Sequence, residues 1–299
     1  MDHTGGEEPT LEAAIALCEQ QRYEDALTVL EQVLAREPDY TTAGHQRWIA
    51  LMNLERFEDA LAAYQEAVTL DPQLAIGWLE LGSMCLRLQH YAQALDAFEH
   101  GLVLAPRDPL LWHAKAETLD ELGQHEEALA AMEQSLTLDP THADGWIRKA
   151  YELHRLGRLA ESAAAAERAV NLEPDNARAW ATLGAAHEVQ RRYAAAMRAY
   201  ERACRLYAGE AEWWANLGYA GMQVRQYAQA LATFQQAVTL HDGHWQWWLN
   251  LYVAALKLRR YRLALRASWR GVRLKVAAEN AARLAQKQAN EAARLSQPR

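Results

Sequence analysis

The chain has 299 residues, of which 51% are apolar and 23% charged, and a formal net charge of −8; this balance fits a folded chain and excludes wholesale disorder. No apolar run is long enough to span a bilayer, and the stretch from Met1 to Thr10 is polar and acidic with no basic-then-apolar secretory pattern, so a cytoplasmic location is expected. Cys18, Cys85 and Cys204 lie far apart without CxxC spacing, which indicates neither a disulfide framework nor a thiolate metal site.

By length alone two ordinary domains would fit, but a fixed internal period points to one continuous stack. Prolines stand at Pro38, Pro72, Pro106, Pro140 and Pro174, each 34 residues after the last. Alanines keep that spacing at Ala26, Ala60, Ala94, Ala128, Ala196, Ala230 and Ala264, with Ser162 in the gap, and tryptophans do so at Trp78, Trp112, Trp146, Trp180, Trp214 and Trp248. In chain order this divides the sequence into a flexible N-terminus (1–6), then units at approximately 7–40, 41–74, 75–108, 109–142, 143–176, 177–210, 211–244 and 245–278, and a C-terminal capping helix and tail (279–299).

Each period carries two apolar faces at helical spacing separated by a short polar turn, so each unit is expected to be a helical hairpin. The small residue on the second helix lets the first approach closely, while Trp and Leu fill the space between neighbouring helices. Proline ends the second helix because it lacks a donor and restricts the residue before it. Units six and seven read Ala208-Gly209 and Asp242-Gly243 instead, where a positive-φ glycine is expected to terminate the helix. The first two units depart at the Trp position, with Thr10 and Gly44 there and Trp48 four residues later. After Gly271 an alanine-rich segment without proline or glycine runs from Val272 to Leu295 and is expected to be a solvating helix; its continuity with the preceding helix is left open by the sequence.

Trp78, Leu81, Gly82, Ala94, Phe98 and Pro106 follow the pattern Trp, then Leu-Gly three and four residues on, a small residue, an aromatic and a closing proline. Over residues 7–278 the chain resembles the tetratricopeptide repeat (TPR) family. The resemblance implies an all-α, right-handed superhelical solenoid of tandem hairpins, acting without catalysis or cofactor as a scaffold or adaptor that binds another protein or peptide. In that family the first helices line a concave groove, which on this chain would place Leu79, His113, Glu117, Ile147, Arg148, Tyr151, Arg155, Glu188, Asn216, Tyr219 and Asn250 in partner contact, with His45, Ile49, Ser83 and Asp120 beside them. Family members that clamp a C-terminal carboxylate do so with a set of cations and asparagines; Leu79, Ser83, Ala114 and Asp144 replace that set here and only Arg148 coincides. Asn216 and Asn250 occupy the position of the asparagines that bond a bound peptide's main chain in longer arrays, an amide being both donor and acceptor.

Charge is separated along the chain. From Lys257 to Arg299 there are 12 basic and 2 acidic residues, a net of +10, so residues 1–256 carry −18. Arg259, Arg262, Arg266, Arg270 and Arg273 recur at helical spacing as one basic face, with Tyr261, Ala264, Leu265 and Val272 falling largely on the other. Such a face suits a second protein contact, an acidic surface of another copy, or, as the alternative reading, an anionic membrane or nucleic acid. Six of the eleven tryptophans, Trp213, Trp214, Trp245, Trp247, Trp248 and Trp269, gather at this end, four of them outside the repeat pattern. No phosphate loop, nucleophile elbow or metalloprotease helix is present, and His241 and His244 read as turn residues rather than metal ligands.

Overall fold

The structure, a computed structural model, describes residues 10–37, 41–70 and 75–295. Pro38 and Pro72, the acidic start up to Pro9 and the tail from Ser296 lie outside them. Every described element is an α-helix, in two compact units that meet in sequence at Thr141 and His142.

The first unit holds four hairpins: α1 (Leu11–Glu19) with α2 (Tyr23–Arg36), α3 (Thr41–Asn53) with α4 (Phe57–Leu70), α5 (Ala75–Arg87) with α6 (Tyr91–Leu104), and α7 (Pro109–Glu121) with α8 (His125–Leu138). The second holds four more: α9 (Ala143–Arg155) with α10 (Leu159–Leu172), α11 (Ala177–Val189) with α12 (Tyr193–Leu206), α13 (Ala211–Gln223) with α14 (Tyr227–Leu240), and α15 (Trp245–Lys257) with α16 (Tyr261–Leu295). Within each unit, every helix packs on the one before it.

The small residue on each second helix is buried in all eight hairpins, Ala26 through Ala264. Ser162, the exception to alanine, satisfies its hydroxyl by donating to the Ala150 carbonyl at 2.7 Å. A second pairing sets the crossing. Gly82, Gly184 and Gly218 each face an aromatic ring sixteen residues on, Phe98, Tyr200 and Phe234, so closely that a Cβ on any of them would fall within 3 Å of a ring carbon. At the same positions other hairpins pair Ala14 with Leu30, Ala116 with Met132, Ala150 with Ala166, and Tyr252 with Ser268.

Two devices end the helices. The turn inside each hairpin places one residue in the left-handed region, at Gln21, Glu55, Gln89, Gly123, Gly157, Arg191, Arg225 and Arg259. The amide after it donates back to a carbonyl five residues earlier, as from Gln124 to Leu119 and from Gln226 to Gly221. Between hairpins, the indole N–H of the repeat tryptophan donates to the carbonyl six residues before it: Trp112 to Pro106, Trp180 to Pro174, Trp214 to Ala208 and Trp248 to Asp242, at 2.8–2.9 Å. The last two bonds form where proline is missing, and the second helices there still stop at an extended residue, Tyr207 and His241. Gly209 and Gly243 are not at positive φ, which corrects the expected terminator; the tryptophan tie holds the turn in every case.

The C-terminal segment is the continuation of α16, a single helix of 35 residues. Its residues from Val276 onward are exposed where described. Trp48 packs against the core of the first unit, its ring 5.2 Å from that of His45.

Six of the eight left-handed turn positions hold a residue with a Cβ, which disfavours that conformation by roughly 1 kcal/mol relative to glycine. Arg225→Gly is therefore expected to raise the unfolding free energy of the chain by about 0.5–1 kcal/mol in a denaturant titration.

Candidate binding face

In the second unit two of the expected residues, Tyr151 of α9 and Asn216 of α13, line one cleft, with Arg148 and Arg155 on the same helix as Tyr151. Asp144 in the first turn of α9 forms an ion pair with Arg148 one turn on, 3.5 Å from its Nε, and accepts from Arg178 of α11. One turn further, Tyr151 is 50% exposed, with the Arg155 guanidinium 4.9 Å above its ring and Nη2 3.3 Å from its hydroxyl. Beside this pair lies a cleft of about 250 Å³, bounded by Tyr151, His154, Arg178, Thr182, Trp213 and Asn216 and floored by alanines and Tyr200.

Tyr200 gives this region its polar character. It fills the slot that phenylalanine holds at Phe98 and Phe234, so its hydroxyl is buried and requires partners. The Glu188 carboxylate and the Asn216 amide are polar side chains that act on it, in opposite senses. Burial, then the Glu188 charge, raises the Tyr200 pKa well above the phenol range. Burial likewise raises that of Glu188, against the lowering effect of the Tyr200 hydrogen bond. Glu188 and Asn216 thus neighbour a buried hydroxyl behind the surface. Tyr219 lies edge-on to Tyr193 at 6.3 Å.

Not every expected residue reaches the surface. Ile147 is 6% exposed and belongs to the packing of α9, which corrects its place among the contacts. Asn250 is half-buried on α15 and does not line the cleft. In the first unit, Leu79 packs against the core, and His113 and Glu117 are half-buried on α7. A hollow there of about 580 Å³, lined by Glu99, Trp112, Lys115 and Gln134 among others, contains none of them. Sequence reasoning missed Tyr200, His154, Arg178 and Trp213; the one available signal was a tyrosine in a phenylalanine slot.

The basic end differs from its sequence pattern. Arg259 sits in the left-handed turn before α16 and so is not on the helix face. Arg270 bonds Asp242, and Arg273 lies 5.4 Å above the Trp269 ring, while Arg262 and Arg266 are exposed. Of the four apolar residues away from the arginines, Ala264 is buried and Tyr261, Leu265 and Val272 are exposed. His241 and His244 both pack on Trp247, at 6.0 and 4.4 Å between ring centroids.

Tetratricopeptide repeat models match residues 47–109, 147–211 and 215–269, residues 110–142, and residues 11–40. The chain belongs to the tetratricopeptide repeat family. No curated protein matches it. Among solved structures this TPR array is similar to that described as the functional characterization of Pseudomonas aeruginosa pilF, with 17% identity, TM-score 0.61, and coverage of 72% of this chain and 97% of that one. It is also similar to the APC/C hetero-tetramer Cut9-Hcn1, with 17% identity, TM-score 0.59, and coverage of 90% and 54%. A third is YrrB, described as a TPR protein with an unusual peptide-binding site, with 16% identity, TM-score 0.53, and coverage of 66% and 98%. These likenesses establish the fold. Among the described residues no helix is long and apolar enough to cross a membrane.

Gly184→Ala would set a Cβ 2.8 Å from a Tyr200 ring carbon. The expected result is a loss of about 1–3 kcal/mol in a denaturant melt, with displacement of the Glu188 and Asn216 side chains visible by NMR. A second prediction concerns pH. His187 is buried, and burial first, then Arg192 and Arg198, lowers its pKa below 6.5. A depressed folded-state pKa means that its contribution is full above 6.5 and is lost as pH falls through the folded-state value. Melting midpoints should therefore drop as pH falls from 6.5 to that value, and His187→Gln should flatten this part of the profile.

Proposed function

We propose that this TPR array is a non-catalytic adaptor whose second unit holds an extended segment of a partner protein across α9, α11 and α13. The carrying observation is the half-exposed Tyr151 with its stacked Arg155, standing beside a cleft whose lining includes the Asn216 amide and the buried Tyr200. A rigid aromatic offers apolar contact area at little entropic cost, and an amide offers hydrogen bonds to a main chain whatever its side chains. Arg148 and Arg178 share Asp144, so they present positive charge whose desolvation is already offset. The surface thus favours a segment with an apolar side chain flanked by polar or acidic ones. Most of the ordering cost falls on that segment, since the helices beneath it are packed. The peptide-binding site named for YrrB is consistent with this reading.

Nucleic acid or anionic membrane held by a continuous arginine face is less well supported, because Arg259 lies in a turn and Arg270 is engaged by Asp242. The test is site-specific photo-crosslinking in native lysate, with the reactive group at position 151 and, as control, at Val103, an exposed residue of α6. A partner peptide crosslinked at 151 and absent at 103 is expected, and Tyr151→Ala should weaken its binding by about 1–2 kcal/mol without shifting the melting midpoint. Equal labelling at both positions, or unchanged affinity in Tyr151→Ala, would sink the proposal.

A further inference from the structure

The last second helix leaves uncovered a face that the hairpins before it bury. Leu231 and Val238 of α14 are 2% and 7% exposed beneath α15; thirty-four residues later, Leu265 and Val272 of α16 are 71% and 50% exposed. Between them Trp269, 65% exposed, stands where the other second helices carry Glu31, Gln65, Glu99, Glu133, Glu167, Glu201 and Gln235. Terminal units of an array ordinarily need a polar outer surface. This one is apolar and rimmed by Arg262, Arg266 and Arg273.

The period specifies what such a face accepts. Within the array it receives the first helix of the next hairpin, as α6 receives α7, where Glu99 meets Lys115 at 2.8 Å. Carried along by the 34-residue period, Glu99 becomes Trp269, and Lys115 becomes Ala13 on the first helix of the first hairpin. That helix is uncovered on the matching side. Ala50, Met84, Ala186, Ala220 and Ala254 are buried, whereas Ala16 at the same position is exposed, as is Ala13. The larger side chain on α16 thus meets the smaller ones on α1. Charge agrees: described residues of the first hairpin include Glu12, Glu19, Glu24, Asp25 and Glu31 against Arg22 and Arg36. Pairing α16 with another α16 would instead bring the arginine rims together.

We propose that the exposed face of α16 docks the first hairpin of a second copy of this chain, Trp269 seating over Ala13 and Ala16 with the arginine rim against the acidic one. The contact is heterologous, so each copy offers one donor end and one acceptor end. It is independent of the peptide-binding reading, which uses other helices.

Sedimentation velocity on the full chain tests this with two variants at exposed positions: a head block, Ala16→Arg, and a tail block, Trp269→Asp with Val272→Asp. Circular dichroism reports on their folding. The wild type should gain mass as its concentration rises and lose that gain as salt screens the rims. Each blocked variant alone should stay monomeric. An equimolar mixture should form a 1:1 dimer and nothing larger, since one free head and one free tail remain; this dimer also shows that both variants fold. A wild type monomeric at every concentration, a head-blocked chain that assembles like the wild type, or a mixture that stays monomeric overturns the proposal. So does a wild-type monomer that instead sediments with phosphatidylserine vesicles through Trp269, which would make lipid the occupant.

Discussion

Everything in this fold depends on how closely two helices cross within one hairpin. The alanine of the second helix and the glycine of the first remove side chain from the crossing, and an aromatic or methionine then fills the space left. The hairpins keep the same helix pairing while the residues at this crossing change. That constancy lets surface residues spaced thirty-four apart recur on the same side of a unit. The proposed binding face is a by-product of this regularity, and its chemistry comes from one exception, a buried hydroxyl added at Tyr200 beside Glu188 and Asn216.

The helices and their pairing were legible because proline, alanine and tryptophan keep phase independently of one another. The turns within hairpins were not. Six of the left-handed residues are glutamine, glutamate or arginine, and nothing in those side chains announces the conformation; the backbone imposes it to join helices held at a fixed crossing. The glycines that did invite a left-handed reading, Gly209 and Gly243, lie at the other kind of turn, where an indole bond to the preceding carbonyl does the work.

The site shows the same division. Tyr151, Arg148 and Arg155 were accessible by helical spacing along α9, since residues three and four apart share a face. Their partners on α11 and α12 were not, because Arg178 and Tyr200 reach the face only through packing. At the C-terminus the charge asymmetry was visible as composition. The fate of Leu265 and Val272 was not: an apolar residue at helical spacing reads as buried, and only the presence of a following hairpin decides whether it is.

The recurring indole bond has a further consequence for how disturbance travels in the second unit. Trp180, Trp214 and Trp248 each join the turn closing one hairpin to the helix opening the next, with the ring inserted where the two meet. Loosening at any such joint alters the hydrogen bonding and solvation of one indole before its neighbours, so the chain carries a built-in set of local fluorophores. Fraying from an end, which is the natural mode of failure for a nearest-neighbour array, would be written in its emission as a sequence of steps rather than a single loss.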